Sequence, residues 1–237
     1  MEQIYTIPVN EAFEASAEAS KNGEHVCPFC RLYSKLERDE LELILGASMM
    51  EPDTRIKTNE SGFCPTHLGK LFTMGKRLPL ALMLESHLEH IADQMKVGMF
   101  PAKAGVTAAK NLRKISEGCY ICDRIEHNFS MMIEVAALLW QRDEAFREKT
   151  AAQHHFCLEH FVRFLEAAAE RLSKKEFADF YKTVGVAEAE FISSLKDDVS
   201  WFCKKFDYRY ADEPWNGAKD APERSASFLS GDIVPEK

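Results

Sequence analysis

Four short clusters hold the residues that could do chemistry: Cys27-Pro-Phe-Cys30, Cys64-Pro-Thr-His67, Cys119-Tyr-Ile-Cys122 and Cys157-Leu-Glu-His160. Thiolates and imidazoles two residues apart can reach one ion from a tight turn or a helix start. Three thiolates and one imidazole form a standard structural zinc set, closed to water and substrate. The clusters alternate, CxxC then CxxH, twice. Cys30 and Cys64 enclose 33 residues, and Cys122 and Cys157 enclose 34. The two halves are therefore offset by 92 to 93 residues, which reads as an internal repeat. The spacing predicts that each half closes its own site, Cys27, Cys30, Cys64 and His67 in the first, Cys119, Cys122, Cys157 and His160 in the second. The expected cofactor is zinc, two structural ions.

Other chemistries compete for these residues. A thioredoxin-like dithiol would use Cys27 and Cys30, but it needs a preceding strand and leaves Cys64 and His67 unexplained. An iron–sulfur cluster usually takes four cysteines. Buried unligated cysteines would not repeat their spacing. A Cys3His zinc centre carries a net charge of about −1 and calls for N–H or cationic neighbours. Arg31, Lys70, Arg124 and Arg163 lie close in sequence.

The elements that must position these residues all read as helices. Asn10 is placed to cap a first helix that ends at Asn22-Gly23. A second runs from Cys30 to Gly46, and a polar connection, "ASMMEPDTRIKTNESG", leads to Cys64. Cys64 opens a helix to about Leu78, and Pro79 starts another, with Leu80, Leu84, His87, Ile91 and Met95 on one stripe. Residues 99–116 look like a linker, Ala- and Lys-rich, weakly patterned and at most partly helical. After Cys122 the pattern could run as one helix of 28 residues, about 42 Å long. If Cys119, Cys122, Cys157 and His160 share an ion, the chain must turn back near residues 138–143. A further helix follows His160, Ser173 to Glu176 reads as a capping box, and Phe191, Leu195, Phe202 and Phe206 share a helical face. The tail carries Trp215 in "EPWNG", expected to fold back on the bundle by its aromatics.

The fold class expected is all-α, two tandem zinc-pinned helical repeats packed into a bundle. The expected organisation is a helical segment over 1–24, repeats over 25–98 and 117–210, a linker over 99–116 and a docking tail over 211–237. Several residues carry two readings. His87 and His90 could hold a metal, although His87 on the apolar stripe reads as a core histidine. His25, His154 and His155 crowd the zinc motifs and read as exposed neighbours, Cys203 reads as a small buried residue, and Glu51, Asp53 and Arg55 read as a hydrogen-bonded loop anchor.

The chain has 237 residues and a net charge of −8, with an isoelectric point near 5.6. That balance disfavours nucleic acid as a partner. The start shows no basic region followed by an apolar run, and no apolar stretch is long enough to span a bilayer. No membrane association and a cytoplasmic location are expected. Seven cysteines in such a chain argue against a disulfide framework. No Walker loop, GxGxxG, GxSxG or HExxH occurs.

"IYTIPVNEAFE", "CPFCRL", "MEPDTRIKTNESGFCPTH" and "KKFDYRYADEPW", together with the paired CxxC and FCxxH motifs, resemble an uncharacterised bacterial family of a domain of unknown function. The resemblance runs along nearly the whole chain and implies no activity and no catalytic residues. Some members carry a label as transporter substrate-binding proteins, which the missing βα alternation does not match. The function expected from these residues is a zinc-stabilised scaffold or interaction module with an unknown protein partner. The alternative is a thiol redox switch that releases zinc on oxidation.

Overall fold

Helices begin and end in this chain where proline, a cap or glycine tells them to. The computed structural model describes residues 2–22, 24 and 26–231. Among these the order is α1 (Glu2–Lys21), α2 (Pro28–Ile44), α3 (Pro52–Ser61), α4 (Pro65–Thr73), α5 (Arg77–Gln94), α6 (Pro101–Glu117), α7 (Tyr120–Arg142), α8 (Glu144–Ala151), α9 (Leu158–Arg171), α10 (Lys174–Lys204) and α11 (Ala221–Ser230). The described residues hold no strand, so the class is all-α. None of these helices is long and apolar enough to cross a membrane.

Three expectations about the elements change. Asn10 is no N-cap: α1 starts earlier and runs through Pro8, and the Asn10 side chain donates to Thr6 O at 3.1 Å within the helix. Pro8 lies in the second turn, where its missing N–H leaves Ile4 O without its helical donor. The polar connection after Gly46 contains a 3-10 turn and then α3. Pro52 at its first position, Asp53 in its first turn and Gly62 after its end supply start and stop signals without an apolar stripe. The 99–116 stretch is the full helix α6, opened by Pro101 and closed at Gly118. Its inward side consists of Ala104, Ala108, Leu112 and buried Ile115, too small and sparse a stripe to stand out.

The chain divides into two compact units. One comprises Met1–Ser34 and Phe129–Lys237. Its core is aromatic: Phe13, Phe29, Phe129, Phe146, Phe164 and Phe180 are fully buried. Ring centroids lie 4.7 Å apart for Phe13 and Phe146, 5.0 Å for Phe29 and Phe164, and 4.9 Å for Phe164 and Phe180. Each buried ring removes a large apolar area from water, and edge-to-face contacts add to that. Asp143 breaks the long helical pattern, its carboxylate accepting from Phe146 N to cap α8. The capping box forms as expected, with Glu176 N donating to Ser173 Oγ at 3.3 Å and Ser173 N donating to Glu176 Oε2 at 2.8 Å. Leu195 is buried on α10 and Phe206 beyond it is exposed. Trp215 folds back, its ring 5.7 Å from Phe202, while Trp201 Nε1 donates to Pro214 O at 3.0 Å.

The other unit is Lys35–Asn128. Here α3 packs on α5 and α6 over Thr58, Leu80, Met83 and Ile115. Arg55 acts as the anchor, donating to Met49 O at 3.0 Å, to Ser86 Oγ at 2.8 Å and to Leu82 O. His87 sits beside Phe63 with ring centroids 6.3 Å apart, and burial pushes its pKa down. His87 is half-buried there rather than enclosed in the core.

Candidate metal centres

The CxxC motifs open α2 and α7, and the first cysteine of each CxxH caps α4 and α9 from the position before the helix. The free N–H groups of a helix start favour thiolate there. All eight ligand candidates come together in two groups of four, with the ligand atoms of each group within 4.8 Å of one another. The pairing is crossed. One cage joins Cys27 and Cys30 to Cys157 and His160, and the other joins Cys64 and His67 to Cys119 and Cys122. The expectation that each half closes its own site is therefore corrected.

Helix length gives the physical reason. Glu37, seven residues beyond Cys30 in α2, bonds His67 Nε2 at 3.1 Å. Phe129, seven residues beyond Cys122 in α7, meets His160 edge-on with ring centroids 5.0 Å apart. Seven helical residues rise about 10 Å, more than one coordination sphere spans. Each CxxH thus lies two turns along the helix that its own half's CxxC begins, and it meets the CxxC of the other half. The turn near residues 138–143 is present at Asp143, yet it brings the chain back to Phe129 rather than to Cys122.

Glycines permit the crossing in the second cage. Gly62 has φ of +65°, and Tyr120 N donates to Gly62 O at 3.0 Å. A Cβ on Gly62 would lie 2.9 Å from Ile115 O, and one on Gly118 would lie 2.4 Å from Ser61 O. Only glycine at both positions lets the two chain segments pass this closely.

The first cage, Cys27, Cys30, Cys157 and His160, is buried throughout. His160 Nδ1 lies 3.1 Å from Cys157 Sγ, 3.4 Å from Cys30 Sγ and 3.7 Å from Cys27 Sγ, and Cys30 Sγ lies 3.6 Å from Cys157 Sγ. Burial, then the neighbouring thiols, pushes the Cys27 thiol well up, and hydrogen bonds from Cys27, Cys30 and His160 hold Cys157 far below its usual range. Phe29 and Phe129 wall the cage, with Arg163 over the Phe129 ring at 4.9 Å and donating to Ser130 Oγ at 2.9 Å. Glu188, also buried, accepts from Phe156 N at 3.0 Å beside Cys157.

In the second cage Cys64 and Cys122 are only half-buried. His67 Nδ1 lies 3.3 Å from each of Cys64, Cys119 and Cys122 Sγ, and Cys64 Sγ lies 3.9 Å from Cys122 Sγ. Behind His67, Glu37 accepts from its Nε2 and receives Lys70 Nζ at 2.6 Å. Cys119 and Glu37 raise His67 to about 10. Burial pushes Cys119 up, but His67 and the backbone of Cys64 and Cys122 outweigh it and bring the thiol to about 6. Burial, then Cys119, pushes Cys122 to about 12. Arg124 pairs with Glu40 at 3.0 Å.

Both cages fit a tetrahedral ion. Metal–sulfur bonds of about 2.3 Å and metal–nitrogen bonds of about 2.05 Å set tetrahedron edges of about 3.8 and about 3.6 Å. The sulfur pairs at 3.6 and 3.9 Å and the sulfur–nitrogen pairs at 3.1 to 3.7 Å match those edges. All six cysteines are free thiols. The Glu37–His67 contact is the carboxylate–histidine arrangement that orients metal-bound imidazoles. Sulfur and nitrogen donors without oxygen exclude magnesium and calcium.

The remaining candidates stay outside the cages. Among the described residues, only these two groups gather three or more ligand atoms, so His87 and His90 gain no third ligand. His25 lies outside the described residues. His155 is buried, against expectation, stacked on Phe191 at 4.5 Å, whereas His154 is exposed. Cys203 is exposed rather than buried, because α10 turns its inner face through Leu195 and away from position 203. Sequence reasoning missed Glu37, although its spacing of seven from Cys30 puts it on the same helix face.

No curated protein and no solved structure matches the chain. The model described as "Family of unknown function (DUF6062)" matches residues 1–236, and the chain belongs to that family.

Proposed function

We propose that the protein binds two zinc ions, one in each crossed Cys3His cage, and serves as a helical scaffold whose surface engages a partner. The observation that carries this reading is the closed tetrahedral donor set at both places, with no position left for substrate. Three thiolates and a neutral imidazole suit zinc better than an iron–sulfur cluster. A structural zinc site contributes about 10–16 kcal/mol of apparent folding free energy, and here one ion would join segments 127 to 133 residues apart and the other segments 52 to 58 residues apart. Elemental analysis of anaerobically purified protein, without added metal, should give two zinc ions per chain. Iron in their place, or CxxC disulfides without metal, would overturn the reading.

The half-buried Cys64 and Cys122 support a second reading, a redox switch at that cage alone. Peroxide would take two electrons from Cys119 and Cys122, form one disulfide and water, and release the ion. Mild peroxide should then liberate one zinc ion per chain to a colorimetric chelator, and release of none would remove this reading.

A further inference from the structure

We propose that the turn joining α5 to α6, together with the outer face of α6, docks on an anionic bilayer surface. The chain carries a net charge of −8, yet from Gln94 to Ser116 it has five basic residues and no acidic one. Lys103, Lys110, Arg113 and Lys114 fall within one helical arc of about 100° on α6, and Val106, 74% exposed, lies in the same arc. The opposite side holds Ala104, Ala108, Leu112 and buried Ile115, so the basic face is the outward one.

At the turn, bulky apolar side chains stand in solvent. Val97 is 79% exposed, Met99 91% and Phe100 72%. Lys96 and Lys103 flank them. Single exposed apolar residues are ordinary, but three within four positions, framed by cations, are the pattern of an interfacial anchor. The apolar side chains enter the boundary between headgroups and acyl chains, and the cations meet lipid phosphates. Lys96 and Arg113 pair with Asp93 and Glu117 at 2.6 and 3.2 Å, but these pairs are exposed and weak enough to yield to a charged surface. A nucleic acid would use the cations and leave Val97 and Met99 without a role. An acidic peptide would have to lie in the wide, shallow concavity between Gln94, Phe100 and Asn111, where the Asp93 carboxylate opposes it. A surface contact of this kind needs no spanning helix, and none of the described helices is one.

The test is flotation of the full chain with vesicles of phosphatidylcholine alone and of phosphatidylcholine with about 30% phosphatidylglycerol, at about 0.1 and about 0.5 M salt. Expected are binding to the anionic vesicles only and its loss at high salt. Met99→Ser with Phe100→Ser, and separately Lys103→Glu with Lys110→Glu, should each weaken binding about tenfold or more. All four positions are exposed, so circular dichroism and metal content should stay as in the unsubstituted chain. Absence of the full chain from anionic vesicles would overturn the proposal, as would binding that both double variants retain. So would salt-sensitive binding to RNA or polyglutamate by protein that ignores the vesicles. None of these results depends on which metal fills the cages.

Discussion

The two cages share a donor set and differ in what stands behind the histidine. Seven residues after one CxxC comes Glu37, and seven after the other comes Phe129. Glu37 bonds His67 Nε2 and links it to Lys70, in a cage whose Cys64 and Cys122 are half-buried. Phe129 lays a ring against His160, in a cage buried throughout and walled by phenylalanines. The same ligand geometry is thus held in one place by a polar relay near solvent and in the other by an aromatic core. The first arrangement suits an ion that exchanges, and the second suits an ion that the fold cannot do without.

The contrast breaks most visibly at Cys157. Cys157→Ser removes a ligand from the buried cage inside the phenylalanine core, and structural sites of this type carry about 10 kcal/mol or more. A fall in melting temperature of about 10 °C or more is expected, with loss of one ion, read by calorimetry and elemental analysis. Cys64→Ser should lose one ion with a smaller thermal shift. Equal shifts would erase the distinction between the cages.

Glu37→Gln sharpens the comparison without touching a ligand. It should weaken metal binding at the Cys64 cage about 10–100-fold, the usual effect of losing a partner that orients a metal-bound imidazole. The Cys157 cage should keep its affinity, as competition with a chromophoric chelator would measure.

A smaller effect concerns Glu188. Burial raises its carboxyl to about 7, partly offset by Phe156 N–H and reinforced by the charge on Cys157. A folded value above the ordinary 4.5 means the folded state holds the proton more tightly than the unfolded chain. The carboxyl therefore costs nothing below 4.5, costs progressively more as pH rises to about 7, and keeps its full cost above. Glu188→Gln keeps an acceptor for Phe156 N–H and should flatten that loss in a series of melting curves from pH 5 to 8. A parallel decline in both proteins would show that Glu188 is not its source.

Smallest of all, Cys203→Ser should leave metal content unchanged and shift stability by no more than about 0.5 kcal/mol, since Cys203 is exposed and outside both cages.

The eight candidate ligands and the all-α class were legible because spacing and periodicity are local properties. The break at Asp143 and the capping box at Ser173 were legible for the same reason. The pairing of the clusters was not. It depends on how far α2 and α7 run before they meet a histidine, and spacings that differ by one residue between the halves fit crossed and uncrossed pairing alike. The signals that separate them are Glu37, in phase with Cys30, and the glycines at 62 and 118, which mark a close approach between distant segments. α3 and α6 were read as connections because their inward faces are polar or small, so position against α5 rather than an apolar stripe makes them helices. Cys203 and His155 exchanged their expected exposures because burial is decided by which neighbour covers a position, and periodicity does not name the neighbour.

Crossed ligation is tested most directly by counting ions in two double variants of the full chain. Cys30→Ser with Cys157→Ser damages one cage if the pairing is crossed and both if each half closes its own. Cys30→Ser with Cys64→Ser does the reverse. Elemental analysis after exhaustive buffer exchange should find about one ion per chain in the first variant and about none in the second. The opposite result, none in the first and one in the second, would contradict the crossed cages.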